Sequence, residues 1–269
     1  MPFDLNHRPS AKRLILSVLS QPNIQELHIR QLIKWGDLFD HRSATIRVEA
    51  GRLTKQCLLE TTSRGVYKIG TAGDVLKQTA SAWDSIADQV GEWNGGWLCI
   101  HTAHLGRSDK SALQARERAF RLMGFEQLVT GLWCRPDNLI AAASATFVRL
   151  IQFGLEPDAI LVRMEAANNC NTIDPHALWP RKPLESNYRG MIELMEDSRE
   201  RLGNLDMGQA MRQSFLVGEH VIRQINADPL LPSEMVDTDL RNKMIAGMKR
   251  YSAHCHPIWA QFLDQSVSR

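Results

Sequence analysis

No apolar run in this chain approaches the roughly 18 residues that a membrane-spanning helix requires, and Met1 to Lys12 is polar and broken by Pro2 and Pro9. Neither a spanning helix nor a secretory segment is visible, which predicts a cytoplasmic protein with no membrane partner. Cysteine is scarce: Cys57, Cys99, Cys134, Cys170 and Cys255 are odd in number, far apart and free of CxxC pairs. That pattern excludes a disulfide framework and a zinc ribbon, and predicts reduced, mostly buried thiols. The signatures GxSxG, HExxH, GxxxxGKS/T and GxGxxG are missing too. With them go the nucleophile elbow, the zincin site, the phosphate-binding loop and the dinucleotide turn, so no cofactor is expected and an enzyme is disfavoured. His254-Cys255-His256 is a compact group of metal-ligating types, but residues i and i+2 on a helix point different ways, and no partner pair at zinc spacing follows.

What is present is an ordinary globular composition, 43% hydrophobic and 23% charged over 269 residues, enough for about two or three domains. The charge is unevenly placed. Residues 1 to 70 hold 11 Lys and Arg against 6 Asp and Glu, a balance of +5, while residues 71 to 269 hold 21 against 24, a balance of −3. A small basic module on a mildly acidic body suits phosphate-backbone binding, and a solvated basic face is its alternative meaning.

In the basic part, Ser10 caps a helix whose apolar positions Ala11, Leu14, Ile15, Val18 and Leu19 recur at helical spacing and which Gln21-Pro22 ends. A second stripe, Ile29, Leu32 and Ile33, stops at Gly36; a third, Ile46, Ala50, Leu53 and Cys57, starts behind Asp40 or Ser43 as cap. Leu58 to Thr61 and Val66 to Ile69 read as strands joined by Thr62-Ser63-Arg64-Gly65, whose glycine supplies a positive φ. Three helices and a hairpin predict a winged helix-turn-helix, with the third helix in the major groove and the hairpin on the backbone beside it. With the stripe inward, Arg42, Ser43 and Arg47 fall near the start of the exposed side, and Arg52, Lys55 and Gln56 further along. Arg64 and Lys68 lie on the wing. Arginine forks read guanine O6 and N7, whereas lysines suit phosphates. Gly51 inside the helix costs about 1 kcal/mol relative to alanine, which points to close approach of a neighbouring helix or a sugar-phosphate strand. Arg52 has an alternative use, a surface pair with Glu49 one turn back.

Beyond a linker helix from Thr71 to Ile86, Trp97 to Thr102 reads as a strand and Lys110 to Met123 as a helix. Glu126 to Val129 and Leu132 to Cys134 read as strands, Leu139 to Phe153 as a helix and Ala159 to Met164 as a strand. The order βαββαβ predicts a ferredoxin-like domain. Asn168 to Pro183, with Pro175, Pro180 and Pro183, reads as a linker. Leu184 to Arg201, Met207 to Ile225 and Asp239 to Leu263 then carry helical periodicity. In these helices Arg189, Arg212, His220 and Arg223 would bind the phosphates or carboxylate of an acyl-CoA if they face one cleft. Local pairing, for instance of Arg223 with Glu219, is the alternative. Trp179, Tyr188 and Trp259 read as core.

Ile46-Arg47-Val48 with Arg52-Leu53, Tyr67-Lys68-Ile69, Trp93-Asn94-Gly95-Gly96-Trp97, Leu122-Met123-Gly124-Phe125, Gly131-Leu132-Trp133 and Asp228-Pro229-Leu230-Leu231-Pro232-Ser233-Glu234-Met235 follow one another over nearly the whole chain. In that order they resemble the PaaX family of bacterial transcriptional regulators. The resemblance implies a winged-helix DNA-binding domain, a middle domain similar to the CRISPR-associated Cas2 fold, and a helical carboxy-terminal domain. It also implies a homodimer that represses catabolic genes and, in the best-known members, is released from DNA by phenylacetyl-CoA. The chain departs from the family in a wing with less arginine and in Glu49-Ala50, where a carboxylate near DNA repels phosphate.

The expectation is an α+β multidomain protein: winged helix-turn-helix over 1–72, linker helix over 73–92, ferredoxin-like (Cas2-like) domain over 93–167 and helical domain over 168–269. Its expected function is that of a nucleoid-associated, dimeric repressor that binds double-stranded operator DNA and is released by an acyl-CoA effector. The alternatives are a hydrolase or nuclease built on the middle domain, and an effector-independent DNA-binding protein. Against a nuclease, the first middle strand ends in His101-Thr102-Ala103-His104 without an acidic metal ligand.

Overall fold

The computed structural model describes residues 3–21, 24–74, 82–165 and 174–264 of an α+β protein. They gather into two compact units, one of residues 1–84, 193–222 and 246–269, the other of residues 85–192 and 223–245. No helix of the described residues is long and apolar enough to cross a membrane.

The first unit begins with α1 (Ala11–Leu19), β1 (Leu27–His28), α2 (Ile29–Asp37), α3 (Ser43–Lys55), β2 (Leu59–Ser63) and β3 (Val66–Ile69). Ser10 caps α1, its hydroxyl accepting from the Arg13 amide, and Ala11, Leu14, Ile15, Val18 and Leu19 are its buried positions. The sheet order is β1-β3-β2, antiparallel throughout. Strand β1 is too short for a periodic pattern; its pairing with β3 defines it. His28 ends β1 and also caps α2 in a reciprocal box with Gln31.

Trp35 of α2 is the hub of this unit's core. Its indole N–H donates to the Leu14 carbonyl, and its ring lies 5.3 Å from Phe39, 4.9 Å from Phe215 and 5.4 Å from Trp259, centre to centre. The first two are edge-on and the third is tilted, and aromatic pairs of this kind add about 0.5–1.5 kcal/mol each beyond the area they bury. Phe215 and Trp259 belong to α7 (Met207–Asn226) and α8 (Thr238–Asp264), which with α6 (Arg181–Leu202) complete the helices. The three, expected together as one domain over 168–269, are each divided between the two units; in the first unit Met211, Phe215 and Leu216 of α7 and Phe262 and Leu263 of α8 join the core built by α1, α2 and α3.

The second unit holds β4 (Trp97–His101), α4 (Lys110–Leu122), β5 (Glu126–Val129), β6 (Leu132–Pro136), α5 (Ala143–Phe153) and β7 (Ile160–Met164). Its sheet has the order β5-β6-β4-β7 with every neighbour antiparallel. Leu98 and Ile100 of β4 pack with Ala119, Phe120 and Leu150 of the two helices. Buried Arg135 donates to the carbonyls of Met123, Pro136 and Pro229 and to Asn138 Oδ1, and burial pulls its pKa down to about 10. Asn138 in turn donates to the Leu230 carbonyl. The segment from Asp228 onward is thereby fixed against β6. Tyr188 and Arg241 hold it from the other side, the phenol donating to Asp228 Oδ2 and the guanidinium to the Leu231 carbonyl.

Of the linker helix expected over 73–92, residues 75–81 lie outside the described residues. Ala82–Gln89 is a 3-10 helix with Ile86 as its buried residue, too little apolar surface to fix an α-helical stripe. The linker expected from Asn168 to Pro183 lies partly outside them as well. Its end differs from expectation, since α6 starts at Arg181 and accommodates Pro183 in its first turn, where no amide partner is lost.

Candidate nucleic-acid interface

The geometry of α3 follows from three side chains. Ile46, Ala50 and Leu53 are fully buried against α1 and α2, which turns the opposite stripe of the helix to solvent. At 3.6 residues per turn, Ala44, Val48, Gly51 and Lys55 run along the middle of that stripe, with Arg47 and Arg52 on its two flanks. All six are exposed, Val48 to 71%. A Cβ built on Gly51 meets no atom of the described residues within 4 Å, so no neighbouring helix among them explains the glycine.

Neither Asp40 nor Ser43 caps this helix. Asp40 has φ 58° and Ser43 is the first helical residue; Arg42 occupies the cap position in extended geometry without a side-chain cap bond. Its guanidinium and the Ser43 hydroxyl are left at the exposed start of α3. Cys57, expected inward with the stripe, is exposed. The helix ends at Lys55, and Cys57 takes φ 56°, which swings it off the helical register. Cys99, Cys134 and Cys255 are buried as free thiols, with burial pushing Cys134 up to about 12. Cys170 lies outside the described residues.

The hairpin is tighter than its expected loop. Leu59–Ser63 pairs with Val66–Ile69 across a turn at Arg64 and Gly65, the glycine at φ 78°. Arg64 stands at the exposed tip. Lys68 faces Glu60 across the hairpin at 3.2 Å, and Arg52 faces Glu49 at 3.8 Å. Exposed pairs of this kind are worth roughly 0–1 kcal/mol, so both side chains can leave for a phosphate. Arg42, Arg47, Lys55 and Arg64 make no ion pair among the described residues.

Val48 is the position that sequence reasoning missed. It is a surface-facing β-branched residue between two arginine-bearing turns, and the available signal was phase, since it stands two residues from both Ile46 and Ala50.

The cations expected to hold an acyl-CoA are not gathered in either unit. Arg212 and His220 fall in the first, Arg189 and Arg223 in the second. Arg212 donates to the Leu38 carbonyl at 2.7 Å and lies over the Phe39 ring; His220 is buried against Phe3; Arg189 lies 3.8 Å from Glu185. Of the expected core aromatics, Trp179 and Tyr188 are buried and Trp259 is half-buried. His101 and His104 stack at 5.3 Å, and among the described residues no three His, Cys, Asp or Glu side chains gather where they would hold a metal ion.

No family model matches this chain, and no curated protein matches it. Among solved structures it is similar to an uncharacterized protein from Mycobacterium tuberculosis, at 19% identity over 93% of this chain and 99% of that one, with a TM-score of 0.61. The two share a fold.

Proposed function

We propose that the chain is a DNA-binding transcriptional regulator whose first 72 residues act as a winged helix-turn-helix, reading the major groove with α3 and gripping phosphates with the β2–β3 hairpin. One observation carries this. The outward stripe of α3 combines the exposed Arg47 and Lys55, which have no ion-pair partner among the described residues, an exposed Val48 and a Gly51 whose added Cβ would meet no atom of the described residues within 4 Å. A solvated helix face gains about 1 kcal/mol by replacing such a glycine with alanine, whereas a face pressed into a groove needs the missing methyl. Arg47 and Arg52 flank Val48 as readers of guanine, and Val48 suits the thymine methyl. Lys55, Arg42, Arg64 and Lys68 supply phosphate contacts that release counterions, with Ser43 donating at the helix start. The element order α1-β1-α2-α3-β2-β3 supports the module, and the βαββαβ second unit suits a ferredoxin-like middle domain. A homodimer would set two copies of α3 about one DNA turn apart, roughly 34–36 Å, on a two-fold operator.

Anisotropy with the DNA immediately upstream of the chain's own gene tests this. Specific binding is expected, with Arg47→Ala and Arg52→Ala each weakening it by about 1–3 kcal/mol. No binding to that or any neighbouring intergenic DNA overturns the proposal. The residues chosen for an acyl-CoA lend no support to that effector, so its chemistry has to come from elsewhere in the molecule.

A further inference from the structure

The first unit holds a half-open cavity of about 950 Å³, the size of a small-molecule site. Its walls come from both ends of the chain. Ser17 and Ser20 of α1, Leu27 of β1 and Gln31 of α2 face Gly218 of α7 and Cys255 of α8. Four rings, those of Trp83, Phe215, Tyr251 and Trp259, line it. In α8, Pro257 lines it as well and cannot supply the amide hydrogen bond of an ordinary helical residue.

The formal charges on the described part of the lining are those of carboxylates. Glu26, Asp84 and Glu219 line it, and among the described residues no lysine or arginine does, His256 being the one described lining side chain able to carry positive charge. Glu219 is neutralised by the Arg13 guanidinium, which donates to it. Glu26 accepts from the neutral Thr62 hydroxyl at 2.8 Å, and no ion pair to Glu26 or Asp84 occurs among the described residues. Carboxylates beside aromatic faces attract a cation twice over, through the charge and through the ring quadrupoles. An acyl-CoA, with several negative charges, has the wrong sign for this lining.

We propose that this cavity binds a lipophilic organic cation carrying two or more rings. Its effect on DNA rests on the regulator function proposed above. A ligand touching α1, β1 and α2 on one side and α7 and α8 on the other changes DNA affinity only by binding two arrangements of these helices differently.

Tetraphenylphosphonium and tetraphenylborate, ions of one shape and opposite charge, are the probes. Each is titrated into the full chain without DNA, followed by tryptophan fluorescence and melting temperature. The phosphonium is expected to bind at least tenfold more tightly than the borate and to raise Tm. Glu26→Gln with Asp84→Asn, both at exposed side chains, is expected to bring the two ions close to parity. Gly218→Leu is expected to abolish binding: among the described residues a Cβ there meets only Met248 Cε, at 3.5 Å, so the larger side chain has room to occupy the cavity. Equal or tighter binding of the borate, binding of neither ion, or phosphonium binding unaltered by both variants overturns the site. DNA anisotropy with saturating phosphonium then separates the two proposals. Unchanged DNA affinity removes the regulatory role, whereas a chain that binds the phosphonium but no DNA refutes the regulator function and leaves the cavity's ligand standing.

Discussion

Gly51→Ala separates a groove-reading helix from a merely solvated one, because the two give opposite signs in two assays. The position lies inside α3, eight residues past its start, and the added Cβ has no atom of the described residues within 4 Å. In the free protein the substitution therefore carries only its helix-propensity gain of about 0.8–1 kcal/mol, much of it from a less flexible unfolded chain. For a protein of this size that raises Tm by about 2–4 °C. On DNA the same methyl sits in the middle of the stripe formed by Val48 and Lys55. Overpacking a close-fitted surface costs about 1–3 kcal/mol, which is about 5- to 150-fold in Kd. Thermal melts of the free protein and anisotropy on the upstream DNA, run on the same preparation, measure both. A higher Tm with unaltered affinity would mean that the methyl never meets DNA, and the outward face of α3 would lose its role. A lower Tm would contradict the helical environment from which the gain is calculated.

Three further outcomes follow from single side chains. Lys55→Ala and Arg64→Ala should weaken binding to all DNA sequences alike and each lower the slope of log affinity against log salt by about 0.9; an unchanged slope would take that residue off the phosphates. In the second unit, hydrogen bonds from the Arg116 side chain hold the Glu156 carboxyl below its ordinary value of 4.5. A depressed folded value means stability that is present above about pH 4.5 and lost as pH falls through the folded value, so Glu156→Gln should flatten the acid side of the stability curve, as denaturant melts from pH 7 to pH 3 would measure. A variant with the parent's acid slope would refute the linkage. Gly124→Ala should destabilise by more than about 1 kcal/mol, because the residue has φ 69° and the new Cβ would lie 2.8 Å from the Pro229 Cα and carbonyl oxygen; an equal or higher Tm would show that the loop has room.

Local periodicity was legible and partnership was not. The five apolar positions of α1 were readable because a buried stripe on a capped helix needs no information beyond its own sequence. Strand β1 was not, since Leu27 and His28 become a strand only by pairing with Tyr67 and Val66, some 40 positions away. Cys57 continued the spacing of Ile46, Ala50 and Leu53, yet the chain leaves the helix before reaching it. The carboxy-terminal helices were visible as helices. That Phe215 and Phe262 complete the core around Trp35 was not, because a stripe shows a face without saying what covers it. The same reason governs the site. Exposed cations could be read from phase alone, whereas Arg212, equally polar in sequence, is occupied by a carbonyl and a ring 173 or more positions earlier in the chain.

The segments that carried the family resemblance divide by what they do. Gly124 presses on Pro229, Gly131 on Ala103, the Trp93 indole donates to the Gly96 carbonyl, and Arg135 and Asn138 bind the Pro229-Leu230 backbone. These are close approaches to backbone and side-chain bonds onto it, and any chain building this frame has reason to keep them whatever its function. The α3 segment alternates instead, with Ile46 and Leu53 in the core and Arg47, Val48 and Arg52 outside it. Likeness in the first group therefore speaks for a shared frame and carries no information about the effector. A change at Val48, or a cation introduced among Glu26, Asp84 and Glu219, would leave the frame intact while altering what the molecule recognises. If the proposed roles hold, proteins sharing this fold should differ most in function where they differ along the outward stripe of α3 and in the charge lining the cavity.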